Sequence, residues 1–124
     1  MYLQNQLKMQ FEPLLTQEQF EGYLCGPKDD PKKFAPIRIV YFTANWCGAC
    51  KRIDWDQIAR VFANAGIKWM KCDIDKNDYT GGFCGVKSIP AFQALIYGKY
   101  IPIFANSSTE DIIQWVQGII SKSK

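Results

Sequence analysis

Apolar and polar residues recur along the chain with two different periods, and glycine and proline separate the segments that carry them. A period of two, or a run of β-branched and aromatic residues, is typical of strands. Five segments have one of these patterns: residues 7–14, 37–43, 67–75, 91–97 and 99–105. Only Gly98 separates the last two segments, so they predict a hairpin at the edge of the sheet.

The segments between these strands have the spacing of helices. Thr16 is a predicted N-cap with Gln19 as its capping-box partner, and the helix that follows extends to Cys25. Residues 26–36 are charged, contain three prolines and predict a loop. Three further helical segments follow: residues 47–65, ended by Gly66; a short turn at residues 78–83; and a last helix, opened by Thr109, with its apolar stripe at Ile112, Val116, Ile119 and Ile120.

The resulting order of elements is βαβαβαββα. Strands that alternate with helices predict an α/β fold with a central, mixed, five-stranded sheet flanked by helices on both faces. The closing hairpin supplies the antiparallel part of the sheet. At 124 residues the chain has the length of one domain, and we expect residues 1–124 to form it.

Composition excludes several kinds of chemistry. The chain contains no histidine, which excludes Ser-His-Asp and Cys-His hydrolases and zinc sites that use histidine. Fifteen Lys and Arg against twelve Asp and Glu leave a net charge of +3. That surplus is too small to indicate a nucleic acid or an anionic membrane as partner.

The apolar runs and the cysteines of the chain indicate the cellular compartment to expect. The longest apolar stretch, residues 39–42, is far shorter than the roughly 20 residues that span a bilayer. The first residues lack the apolar region of a secretory signal, and they begin with Met1. Five cysteines cannot all pair within one chain. We therefore expect a cytoplasmic, reducing compartment, in which thiols are usually free, catalytic or metal-bound.

Candidate chemistry lies at the sequence Trp46-Cys47-Gly48-Ala49-Cys50, between a predicted strand and a predicted helix. Cysteines three residues apart in a first helical turn can bridge, and the helix N-terminus favours a thiolate. Cys47, nearer that terminus, is the predicted nucleophile, and Cys50 is the predicted resolving thiol. Small residues at positions 48 and 49 leave the pair open to a disulfide of another protein. This context predicts thiol–disulfide exchange.

Two other interpretations of the cysteines have less support. Cys47, Cys50, Cys72 and Cys84 could form a four-thiolate zinc site, but the last two are too far apart in sequence for a second close pair. A purely structural disulfide is also disfavoured, because so short a loop constrains the unfolded chain little.

The chain resembles the thioredoxin family over most of its length. Residues 42–51 resemble the active-site signature of the family, residues 73–75 the acidic end of its third strand, and Ile89-Pro90 its loop proline facing the disulfide. The resemblance implies the thioredoxin fold and a cis Ile89–Pro90 bond, with the backbone of Ile89 available to a substrate strand. A trans proline that opens a strand is the alternative.

The resemblance also implies roles for two further residues. Trp46 would pack beside the disulfide and shape a docking surface together with Gly48, Ala49, Ile89 and Pro90. Lys71 falls on a partly buried lysine of the family and could support the resolving thiol. The alternatives are an ordinary core tryptophan and a lysine whose stem merely lies along apolar surface.

Four residues depart from the family pattern. Ala49 replaces a proline between the cysteines and could shift the reduction potential. Tyr41 replaces a buried aspartate and is a poor base at neutral pH, so Asp73 could act instead or resolution could be slower. Trp55 replaces a proline that kinks the second helix, so we expect a straight helix there. Ala105 replaces a glycine near the end of the family's fifth strand and would slightly narrow the groove there.

The remaining cysteines have no assigned partner. Cys72 is predicted to be a buried core residue. Cys84 is close to the loop before Pro90, and its oxidation or an intermolecular bridge is a minority hypothesis.

We therefore predict a protein-disulfide reductase of the thioredoxin type that acts through Cys47 and Cys50. It needs no bound cofactor or metal, and a thioredoxin-reductase-type partner would supply electrons from NADPH. The expected partners are disulfide-containing proteins, and the expected state is a monomer. Two alternatives remain: a disulfide oxidase or isomerase, and a binding or scaffold subunit with incidental thiols.

Overall fold

The computed structural model describes residues 8–24 and 36–124. Its strands are β1 (Glu12–Pro13), β2 (Ile37–Thr43), β3 (Ile67–Asp73), β4 (Ala91–Ile96), β5 (Lys99–Tyr100) and β6 (Phe104–Ala105). Its α-helices are α1 (Gln17–Glu21), α2 (Trp55–Val61), α3 (Asp78–Cys84) and α4 (Thr109–Lys122), and a short 3₁₀-helix covers Cys50–Arg52. Residue 7 of the first predicted strand, Cys25 and loop residues 26–35 lie outside the described residues.

The strands form one mixed sheet in the order β1-β3-β2-β4-β5, with β6 also paired to β4. β2 is central: it pairs in parallel with β3 and antiparallel with β4. This register sets Tyr41 opposite Lys71 on one side and opposite Phe92 on the other. The predicted α/β architecture with an antiparallel edge is therefore confirmed.

Each face of the sheet has its own apolar core, because successive side chains of a strand point to opposite faces. Ile39 on one face packs with Ile58 of α2 and Ile112 of α4. Val40 on the other face packs with Phe20 of α1, and α3 contributes at the edge of that core. Helices thus cover both faces, as the alternation of elements predicts. None of the helices in the described ranges has the length and apolar character of a membrane span.

The last predicted strand is divided into two short segments, which makes the sheet six-stranded. β5 and β6 flank residues 101–103, and Pro102 has no N–H with which to continue the ladder. The side-chain amide of Gln93, buried in β4, donates to the carbonyl of Ile101 at this break. The edge of the sheet beside β4 therefore consists of two short strands, β5 and β6, with a gap between them.

The prediction of one helix over residues 47–65 is wrong, and so is the expectation of a straight helix at Trp55. Ile53 has an extended backbone, with ψ 127°, between the 3₁₀-helix and α2. The carboxylate of Asp54 accepts a 3.0 Å hydrogen bond from the N–H of Gln57 and caps α2. The N–H of Asp54 donates to Oγ1 of Thr109 at 2.9 Å. A capping residue here begins a new helix instead of continuing the old one.

Other boundaries moved by a few residues. The first strand is confined to Glu12–Pro13, and α1 ends at Glu21 rather than at Cys25. Thr16 is the N-cap, as predicted, and its Oγ1 accepts from the N–H of Gln19 at 3.1 Å. The side chain of Gln19 accepts from the N–H of Leu15 instead of that of Thr16. The last helix begins at Thr109, as predicted, and its stripe is buried except for Ile120, which is half-buried.

Candidate active site

Cys47 and Cys50 lie in the turn that follows the central strand β2. The N–H of Cys47 donates to the carbonyl of Ala44 at 3.1 Å, and Cys50 begins the 3₁₀-helix. The two sulfurs are joined in a disulfide, with Cα atoms 5.3 Å apart. Cys47 is 4% and Cys50 5% exposed. The spacing of two intervening residues therefore places the sulfurs within bonding distance, as predicted.

The backbone around the disulfide favours negative charge on one of its sulfurs. The N–H of Cys50 points at Sγ of Cys47, 3.1 Å away. Donors of a first helical turn have no backbone acceptor within the helix, and they carry the positive end of the peptide dipoles. Sγ of Cys47 is thus the sulfur that this turn stabilises as a thiolate after reduction.

The outer surface of the turn is open. A Cβ added at Gly48 would meet no heavy atom within 4 Å. Ala49 is half-buried and packs against the core cluster of α2 and α4. Of the two residues between the cysteines, Gly48 therefore faces outward, and Ala49 holds the turn against the protein.

Trp46 is exposed beside the disulfide and is held by a residue just beyond the end of β3. It is 66% exposed, so it is not the core tryptophan of the alternative interpretation. Its indole Nε1–H donates a 2.9 Å hydrogen bond to Oδ2 of Asp75. The sequence pattern marks Asp75 only as part of an acidic strand end and does not reveal this contact. Asp75 is therefore a site residue that the sequence analysis missed.

The loop before β4 reaches the same end of the sheet. Phe42 pairs with Ala91, so the residue before Ala91 lies beside the end of β2, from which the cysteine turn begins. The Ile89–Pro90 peptide bond is cis, as the resemblance implied. Pro90 is buried, and the half-buried side chain of Ile89 packs at the margin of both core clusters.

Tyr41 occupies the position behind the disulfide where the resemblance places an aspartate. Its ring stacks on Phe92 at 5.4 Å between centroids and lies 4.8 Å from that of Trp55. Burial raises the pKa of Tyr41 above its usual value near 10. The phenol therefore stays protonated at neutral pH and cannot act as a base there, as the sequence indicated.

Lys71 lies next to Tyr41 on the neighbouring strand. Its side chain is exposed, and Nζ is 5.8 Å from the centroid of the Phe11 ring. Lys71, Asp73 and Cys50 line one cavity of about 630 Å³. The structure thus brings Lys71 and Asp73 to the inner side of the disulfide, away from Trp46.

Two further cysteines lie outside this site. Cys72 is fully buried in the core and donates weakly to the carbonyl of Asn77, at 3.6 Å, so its predicted core position is confirmed. Burial raises the pKa of both Cys72 and Cys84 to about 12. Cys84 is half-buried, and its protonated thiol is a poor nucleophile. Within residues 8–24 and 36–124, no group of three or more acidic, cysteine or histidine side chains could hold a metal.

Comparison with known proteins gives a consistent result. The family model "Thioredoxin" matches residues 14–118. Thioredoxin of Equus caballus is 27% identical over 84 residues, which are 66% of this chain and 78% of that protein. Thioredoxin of Geodia cydonium is 30% identical over 74 residues, 58% of this chain and 68% of that protein.

Solved structures agree in fold. The crystal structure of thioredoxin from Trypanosoma brucei brucei superposes with a TM-score of 0.73 at 25% identity, covering 90% of this chain and 92% of that one. Thioredoxin of Schistosoma mansoni has a TM-score of 0.66 at 24% identity, covering 94% and 95% of the two chains. Together with the Cys47–Cys50 disulfide, these matches make the protein a thiol–disulfide oxidoreductase. The chain therefore belongs to the thioredoxin family.

Proposed function

We propose that the protein works in the reducing direction on disulfides of other proteins. The thiolate of Cys47 attacks one sulfur of the substrate disulfide, forms a mixed disulfide and releases the first substrate thiolate. Cys50 then attacks Sγ of Cys47, releases the second substrate thiolate and forms the Cys47–Cys50 disulfide. Two electrons pass from the protein to the substrate, and the released thiolates take up protons from water.

The observation that carries the role of Cys47 as nucleophile is the 3.1 Å hydrogen bond from the N–H of Cys50 to Sγ of Cys47. In the reduced protein the same N–H would stabilise a thiolate on Cys47. When Cys50 later attacks the mixed disulfide, Sγ of Cys47 is the sulfur attacked and the substrate thiolate is the leaving group. The chain direction of the turn thus favours Cys47 as the nucleophile of the first step.

The substrate would dock on the outer face of the turn. Exposed Trp46, open Gly48 and the backbone of Ile89 beside Pro90 surround the disulfide there, and Ala49 supports the turn from below. An extended substrate segment can add to such a backbone in the manner of a strand.

Lys71 would act from the inner side as a positioning residue for the resolving step. It lines the same cavity as Cys50, whereas Tyr41 cannot accept a proton there at neutral pH. A positive charge on this side favours the thiolate of Cys50. Asp73, which lines the same cavity, is the carboxylate available to accept its proton.

The cycle is completed by a partner that reduces the disulfide again. We propose a thioredoxin-reductase-type flavoprotein that draws on NADPH, with no cofactor bound to this chain itself. Electron transport of this kind and maintenance of thiol balance suit a reducing compartment, so we propose that the protein works in the cytoplasm. We also propose that it is a monomer.

Reduction of insulin by dithiothreitol tests the proposed direction and the roles of the cysteines. The wild type should accelerate precipitation of the insulin chains, and Cys47→Ser should abolish the acceleration. Reduced Cys50→Ser, freed of dithiothreitol before insulin is added, should trap a mixed disulfide that mass spectrometry detects. Cys84→Ser is the matched control and should retain the wild-type rate, because that thiol lies outside the site. A folded wild type that does not accelerate precipitation beyond dithiothreitol alone would exclude a general reductase.

A second direction has one observation in its favour. Ala49 stands where family members usually have proline between the cysteines, and that position influences the reduction potential. Equilibration with glutathione of known redox state measures the potential directly. A value near that of oxidases or isomerases, well above the range of reductases, would favour disulfide formation or isomerisation instead.

A further inference from the structure

The inner side of the disulfide opens into a cavity whose walls resemble those of a small-molecule site. Its volume is about 630 Å³, within the range of ligand pockets. The rings of Phe11, Tyr41 and Trp55 form one wall. Phe11 meets Trp55 edge-on at 5.0 Å between centroids and lies 5.7 Å from Tyr41. Such a wall offers apolar aromatic surface against which the rings of an aromatic molecule can pack.

The charged side chains around this cavity are mostly positive. Lys51, Lys71 and Lys76 line it, and Asp73 is the single acidic residue among its lining residues. Oδ1 of Asp73 already accepts a 2.9 Å hydrogen bond from the N–H of Asp75. In the part of the chain that the structure describes, the one ion pair is between Lys68 and Glu12, so none of the three cavity lysines has a carboxylate partner there.

Tyr41, at the back of the cavity, adds no negative charge to balance the three lysines. Tyr41 is uncharged at neutral pH, since the pKa of a phenol is ordinarily near 10 and burial raises that of Tyr41 further. A carboxylate at the same position would place a negative charge opposite the lysines. With tyrosine there, the aromatic wall and the excess of positive charge occur together, and both favour an apolar molecule that carries an acidic group.

We propose that this cavity binds a small aromatic anion, whose rings pack on Phe11, Tyr41 and Trp55 and whose carboxylate or sulfonate group is held by the lysines. Trp46, Gly48, Ile89 and Pro90 do not line the cavity, so the site is distinct from the surface proposed for protein substrates. Cys50 forms part of its wall. A bound anion would therefore lie next to the resolving cysteine without occupying the docking face.

The test uses two fluorescent probes of nearly the same shape. 8-Anilinonaphthalene-1-sulfonate carries a sulfonate, and N-phenyl-1-naphthylamine lacks it. Titration of the oxidised, folded protein at neutral pH should give saturable binding of the sulfonate at one site, and the neutral probe should bind at least about threefold more weakly. This factor corresponds to the effect of an accessible ion pair.

Variants locate the site. Lys71→Gln and, separately, Lys76→Gln should each weaken binding of the sulfonate by about threefold and leave the neutral probe unchanged. Lys99→Gln removes an equal charge from exposed β5, outside the cavity, and should have no effect. Amide resonances of residues 43–45 and 73 should shift on binding. Near-ultraviolet circular dichroism checks that each variant is folded. If one of the two lysine variants does not fold, the other still tests the proposal.

Other outcomes would overturn the proposal. The exposed ring of Phe83 next to Tyr100 is the competing apolar surface, with centroids 6.1 Å apart. Loss of sulfonate binding in Phe83→Ser, with wild-type affinity in both lysine variants, would assign the probe to that surface. Equal affinity for the two probes, or no binding of either, would also contradict the proposal. None of these results depends on insulin reduction, so the site and the proposed redox direction can fail separately.

Discussion

The indole Nε1–H of Trp46 donates to Oδ2 of Asp75 across 2.9 Å, and the two residues are 29 positions apart in the chain. Trp46 begins the cysteine turn after β2, and Asp75 lies just beyond the end of β3. Because β2 and β3 are parallel neighbours, their carboxyl ends lie at the same edge of the sheet. The hydrogen bond therefore fixes an exposed aromatic side chain at a position that few other contacts determine.

Removal of this acceptor should affect activity more than stability. We expect Asp75→Ala to lower kcat/KM for insulin reduction by about threefold to tenfold, because a misplaced docking side chain weakens productive alignment. The free energy of unfolding should fall by less than about 1 kcal/mol, since both partners are exposed. Asp75→Asn retains a side-chain oxygen and should recover most of the rate. Equal rates for Asp75→Ala and the wild type would show that the contact has no role in docking.

The cap at Asp54 should contribute measurably to stability. Asp54→Ala removes the acceptor for the N–H of Gln57 and should lower the free energy of unfolding by about 1 kcal/mol. Asp54→Ser supplies another capping oxygen and should restore most of the loss. Urea unfolding followed by circular dichroism measures both changes. A fully stable alanine variant would mean that the break at Ile53 is maintained by packing alone.

Stability should decrease as the solution becomes alkaline. The pKa of Cys72 is raised to about 12 in the native protein, against a usual value of 9.0. Above pH 9 the unfolded chain releases this proton while the native state retains it, so rising pH favours unfolding progressively towards pH 12. Urea midpoints measured from pH 8 to pH 10.5 should fall. The slope should be shallower in Cys72→Ala, and an unchanged slope would show that this thiol titrates normally.

Thiol labelling should distinguish the cysteines after reduction. In a Cys25→Ser background, iodoacetamide at pH 8 should modify Cys47 first, because the turn stabilises its thiolate. Cys72 and Cys84 should remain unmodified until the protein is unfolded, since burial raises the pKa of each to about 12. Mass spectrometry of peptides identifies the modified residue. Rapid labelling of Cys84 in the folded protein would restore the hypothesis of regulatory oxidation there.

The local sequence pattern was sufficient to predict the elements that depend on neighbouring residues alone. Residues 37–43 form the predicted central strand because nearly every side chain there is buried, and such a strand needs a continuous apolar run. The apolar stripe of α4 and the N-cap at Thr16 were also predictable, because helical spacing and capping involve residues only a few positions apart. The cysteine spacing likewise determined that the two sulfurs could meet.

Contacts between distant residues decided the rest. The helix after the cysteines is interrupted at Ile53 and Asp54, where the backbone N–H of Asp54 turns to Thr109, 55 positions away. A periodic pattern cannot show this, because the apolar positions of residues 58–62 fit either one long helix or two short ones. The contact between Trp46 and Asp75 also exists only when β2 and β3 are side by side.

The cavity behind Cys50 depends still more on tertiary structure. Phe11, Tyr41 and Trp55 come from three separate segments, and nothing in the sequence shows that their rings meet. The sequence by itself therefore determined the chemistry, through two cysteines at the end of a strand and the absence of histidine. Folding decided which side chains surround that chemistry, because packing and hydrogen bonds between distant segments depend on the complete sheet.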